Sequence, residues 1–210
     1  MTPPSDVFDK HYADYQTQLE ALDFDRIAPI LGLKPQRAGY ALSFFNHRFT
    51  VAHDGIRNDH QQPPDYATFV ILVKYLTRCP AQPHQDTQWA AFKDFKRESH
   101  FTNINYFASD TEKKIANTFS GNLEALSHAA RRMGGVSVDS TLSYDLAIQF
   151  QALPRIALLL LFNDGDEDFT PYGTVLFWRQ AEYYLDPESL AVTSALLVKH
   201  LTNQLETGTA

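Results

Sequence analysis

Residues 144–162 read Tyr-Asp-Leu-Ala-Ile-Gln-Phe-Gln-Ala-Leu-Pro-Arg-Ile-Ala-Leu-Leu-Leu-Leu-Phe, and this stretch decides the fold. In its first half, Tyr144, Leu146, Ile148 and Phe150 alternate with Asp145, Ala147, Gln149 and Gln151. A period of two puts one set on each side of a strand and predicts one buried and one wet face. After Pro154 the run Ile156–Phe162 is apolar at every position, the pattern of a strand covered on both sides. An acidic loop, Asn163 to Asp168, leads to a third strand over Thr174–Trp178. Asp186-Pro187-Glu188 then opens a helix: a capping side chain, proline at the first position and an acid in the first turn. Leu190, Leu197, Leu201 and Leu205 share its core side, and it runs to about Glu206.

Upstream the period changes twice. Val7, Phe8, His11, Tyr12, Tyr15, Leu19 and Leu22 recur at helical steps, and Asp23 caps a second short helix through Ile27, Ile30 and Leu31, stopped by Gly32. Tyr40 to His53 reads as a β-hairpin broken at Asn46-His47, since Asn tolerates the positive φ of a tight turn. Arg57 to Pro64 reads as a polar connector. Asp65 caps a helix whose Phe69, Val70, Val73 and Leu76 share a face, ended before Pro80. Ala81 to Gln88 is a surface loop by composition. Trp89, Phe92 and Phe95, at three-residue steps, suit a short helix or an aromatic-packed turn. Ser109 or Asp110 opens a further helix, interrupted at Gly121 and ended at Gly134-Gly135. The expected architecture is a single α+β domain over residues 1–210, a mainly antiparallel sheet packed by helices. Its parts are N-terminal helices over 1–38, a hairpin over 39–53, a helical region over 65–135, and strands with a C-terminal helix over 141–206.

Composition narrows the function. With 18 basic and 25 acidic residues among 210, the net charge is −7, opposed to general binding of a nucleic-acid backbone. Hydrophobic residues at 44% and charged at 20% are ordinary for a globular chain. The longest apolar run, Ile156–Phe162, is far short of the roughly 20 residues a membrane helix needs. The acidic first twenty residues match no secretory or transit leader, so the expected location is the cytoplasm. One cysteine, Cys79, excludes an internal disulfide and any thiolate cluster within the chain.

From Leu153 to Leu201 the sequence is similar to the bacterial and archaeal domain-of-unknown-function family numbered 3786. The resemblance rests on Leu153-Pro154-Arg155-Ile156 with its leucine run, Asp164–Phe169, Leu176-Phe177, Ala181, Tyr184-Leu185 and Asp186–Ala191. Earlier segments agree: Gly39–Val51, Val70–Leu76, Trp89–Phe92 and Met133–Gly135. The family has no established activity. Some relatives carry a cysteine-rich iron–sulfur segment resembling that of corrinoid/iron–sulfur proteins, which implies anaerobic one-carbon or corrinoid chemistry. This chain lacks that segment. It also carries Trp178-Arg179 where an acid is expected after Leu-Phe, and Asp168 where the pattern prefers glutamate.

Two regions could carry chemistry. In the acidic loop, Asp164, Asp166 and Asp168 alternate as hard oxygen ligands do at the start of a calcium loop. Counting from Asp164, the EF-hand's glycine and glutamate places hold Phe169 and Val175, so the loop is a solvated turn, a divalent-cation or cationic-partner site, or an acid/base group. The second region is aromatic and basic. Trp89, Phe92, Phe95, Phe101, Tyr106 and Phe107 are core rings or the walls of an apolar pocket, and Lys93, Lys96 and Arg97 beside them could meet an anionic group. Trp89, Phe92, Lys93, Lys96 and Arg97 are the candidate ligand set. The histidines fall outside any metal-binding spacing, though His47 and His53 share the hairpin. No hydrolase elbow, P-loop or dinucleotide fingerprint is present, and no catalytic residue is assigned.

The expectation is an accessory protein of uncharacterised role. It binds a small ligand or cofactor of corrinoid or tetrapyrrole type, or a protein partner, in anaerobic cofactor or one-carbon metabolism, with no nucleic acid and no membrane. Alternatives are a metal-assisted enzyme using the 164–168 loop and a structural subunit of a larger assembly. The sequence identifies no particular cofactor.

Overall fold

In the computed structural model, which describes residues 6–95, 104–138 and 144–206, the leucine run forms strand β8 (Ile156–Asn163), buried at every position except its last. The reason is its place in the sheet. Strands β5 (Trp89–Ala91), β6 (Val136–Ser137), β7 (Leu146–Leu153) and β9 (Tyr172–Trp178) join it in the order β5-β9-β8-β7-β6, all pairs antiparallel. Pro154-Arg155 makes the turn between β7 and β8, and an irregularity in register sits between Gln151 and Leu153.

The expected wet face of β7 is drier than its alternation suggests. Gln151 is exposed and Gln149 half-buried, but Ala147 is buried with Leu159 and Leu161 in a small cluster. Trp89, Val138, Tyr144 and Leu176 pack against that cluster. A strand beside one that is apolar on both faces shares its neighbour's burial.

Helix α7 (Pro187–Glu206) starts where the Asp-Pro-Glu signal places it, with Asp186 Oδ1 accepting from the Ser189 N–H at 2.8 Å. Leu190, Leu197 and Leu201 are fully buried. The helix expected to open at Ser109 or Asp110 begins earlier. Helix α4 (Ile104–Phe107) runs through a π-helical turn, Ala108–Glu112, into α5 (Lys113–Phe119). Ser109 does not cap, because its hydroxyl bonds back to the Tyr106 carbonyl at 3.2 Å. Helix α6 (Leu123–Arg132) follows Gly121 and ends at Gly134, whose φ of 77° is left-handed.

The chain's contacts divide it into two compact units: residues 1–43 with 47–83, and residues 44–46 with 84–210. The elements above belong to the second. The first holds α1 (Asp6–Glu20), α2 (Phe24–Leu31) and α3 (Tyr66–Thr77) with a sheet in the order β1-β2-β3-β4. Its strands are β1 (Lys34–Gln36), β2 (Gly39–Phe44), β3 (His47–Ala52) and β4 (Gly55–Asn58). The hairpin turn falls on Phe45 and Asn46, at φ 45° and 68°, one residue before the predicted break. Strand β4 takes in Arg57 and Asn58, the first two residues of the expected connector. Asp23 and Asp65 cap α2 and α3 as the sequence predicts, accepting from Arg26 N–H at 3.1 Å and Thr68 N–H at 3.3 Å. Buried Tyr75 donates to the Leu31 carbonyl at 2.7 Å, and Phe69 stacks on Tyr12 at 4.4 Å between centroids. The architecture is α+β with antiparallel sheets. Among the described residues, no helix is long and apolar enough to cross a membrane.

Candidate functional site

Where β8 hands over to β9, the ladder's last pair is Asn163↔Tyr172, and the acidic loop spans the residues between. The loop is built by carboxylates turned on their own backbone. Asp166 Oδ1 accepts from the N–H groups of Asp168 and Phe169 at 2.8 and 2.7 Å. Asp164 Oδ1 accepts from Gly165 and from distant Gly121, both at 2.8 Å. The Asp164 N–H in turn donates to Asp145 Oδ2 at 2.8 Å, and the Asp145 N–H to Asn163 Oδ1 at 3.0 Å. Three carboxylates therefore serve as caps for a loop with no ladder of its own.

That scaffold walls a cavity of about 580 Å³ lined by Tyr144, Asp145, Asn163, Asp164, Asp166, Phe169, Thr170 and Tyr172. Its rings are the unusual part. Phe169 is 73% exposed and Tyr172 48% exposed, at a strand end rather than in a core. The Tyr172 phenol is raised above its ordinary range, chiefly by burial, with the charge of Glu112 and nearby Tyr144 adding and the hydrogen bond to Thr174 opposing. The phenol thus stays protonated at physiological pH. A concave surface with ring faces and carboxylates side by side suits a positively charged or mixed apolar-cationic group.

Of the proposed metal trio, the structure places Asp164 and Asp166 on the cavity wall and leaves Asp168 off it. Among the described residues, no three His, Cys, Asp or Glu side chains group closely enough to hold a metal ion. The aromatic set lands differently. Trp89 lies half-buried on β5 opposite Trp178, their rings 6.2 Å apart. Residues 92–94 form a 3₁₀ turn, whose three-residue period sends Phe92 and Phe95 inward and leaves Lys93 exposed. Phe92 stacks on Phe107 at 4.4 Å and 9°, and both rings lie 6.2 Å from Phe177. Phe95 meets Phe177 edge-on at 5.7 Å. These rings are core. Lys96, Arg97 and Phe101 fall outside the described residues. His47 and His53 bracket β3, roughly 20 Å of extended chain apart, so the hairpin holds them away from each other.

Tyr144, Asp145, Phe169 and Tyr172 were not singled out by sequence reasoning. Phe169 alone left a usable signal, a large apolar residue inside an otherwise acidic loop. The other three reach the cavity only once β7, β8 and β9 are paired, Tyr144 and Asp145 from just before β7 and Tyr172 at the start of β9.

The family model described as domain of unknown function (DUF3786) matches residues 23–200, a span that includes every wall of this cavity. The chain belongs to that family. No curated protein and no solved structure matches it.

Proposed function

We propose that this chain acts by binding, as an accessory protein whose working surface is the cavity between the ends of β7, β8 and β9. The observation that carries the reading is Phe169, 73% exposed beside the carboxylates of Asp145, Asp164 and Asp166. A phenyl ring held out in water by a tightly bonded loop loses hydrophobic stabilisation that a partner would return. The occupant that fits is a basic segment of a protein partner or a small organic ligand with a cationic edge. The cavity lies within the range that takes small molecules. The family resemblance directs the search toward corrinoid or tetrapyrrole cofactors and the proteins that handle them in anaerobic one-carbon metabolism. The acidic loop is poorly suited to acid/base turnover, because Asp164 and Asp166 already accept backbone hydrogen bonds.

Native mass spectrometry on protein isolated without oxygen from its own host tests this. The expected result is a defined added mass, cofactor or protein, that is lost in Phe169→Ala while the fold is kept. A bare chain, or an adduct indifferent to Phe169→Ala, overturns the reading.

A further inference from the structure

We draw no further inference here: the strongest candidate, the cavity of about 760 Å³ between the start of α6 and the end of α7, is a helix N-terminus bordered by the exposed side chains of Glu124, His128 and Arg132, and nothing in the structure shows what would occupy it.

Discussion

The hydroxyl of Thr111 lies 2.8 Å from that of Ser194, and both residues are fully buried. The π-helical turn aims Thr111 inward at α7, and Ser194 can also donate to the Ala191 carbonyl at 2.8 Å. Removing the Ser194 hydroxyl takes this partner from buried Thr111, whereas Ser194 without Thr111 keeps the Ala191 carbonyl. Ser194→Ala should cost about 1–3 kcal/mol, and Thr111→Val less. The double variant should cost less than the sum, because no polar group is then left alone. Urea unfolding of the four proteins measures the coupling.

Two glycines near α6 should respond differently to alanine. At Gly135 a Cβ would fall 2.7 Å from both Ile148 Cγ2 and Phe150 Cε1 and 2.9 Å from the Ala130 carbonyl. These are packed atoms on a helix and a strand, so Gly135→Ala should cost about 1–3 kcal/mol or more. At Gly121 nothing lies within 4 Å, and only the φ of +69° resists a side chain. Gly121→Ala should cost about 1–2 kcal/mol. Thermal melts of the two variants rank them.

Tyr184 is buried, and its hydroxyl accepts from the His84 N–H at 2.9 Å and faces the His84 carbonyl at 3.3 Å. One phenol thereby pins a loop 100 residues earlier in the chain. Tyr184→Phe should destabilise by about 1–3 kcal/mol. It should also raise hydrogen exchange at His84 more than at α7, a pattern general destabilisation would not give.

Cys79 carries a pH signature. Burial raises its thiol pKa, with Arg26 opposing. The reactive thiolate therefore appears at higher pH in the folded chain than in the unfolded one. The folded protein binds the proton more tightly, so this contribution to stability is complete below the unfolded pKa. It disappears as pH rises through the folded value. Alkylation rates against pH, with and without denaturant, should show the folded profile displaced upward.

Asp166 and Phe169 separate support from recognition. Asp166→Ala removes an acceptor from two backbone N–H groups and should cost about 0.5–2 kcal/mol, as the loss of a cap does. Phe169→Ala, whose ring is largely in water, should change stability by no more than about 0.5 kcal/mol while abolishing capture at the cavity. Equal effects of the two variants on both readouts would make the ring a structural part of the loop.

The strands β7, β8 and β9 and the caps at Asp23, Asp65 and Asp186 were legible because each is a local pattern of period or hydrogen bonding. Strand β4 was not: Gly-Ile-Arg-Asn carries one large apolar residue, and only pairing with β3 makes it a strand. Trp89–Ala91 likewise becomes β5 by lying against Leu176–Trp178, information 87 residues away. The same divide runs through the sites. The acidic loop was visible as composition, whereas Asp145 beside Asp164 exists only after the β7–β8 register is set. Reading Phe92 as a ligand platform failed to anticipate Phe107 and Phe177 as its neighbours.

Those neighbours also impose a schedule on synthesis. Phe92, Phe95 and Phe107 each pack on Phe177, which leaves the ribosome about 85, 82 and 70 residues later. At roughly 5–20 residues per second, Phe92 waits about 4–17 seconds for the ring that covers it. Until then Phe92, Phe95 and, once made, Phe107 lack the ring that all three pack against. The stretch around Phe92 is where a ribosome-bound chaperone would find its grip, and where slowing translation between Phe107 and Phe177 would cost most in yield.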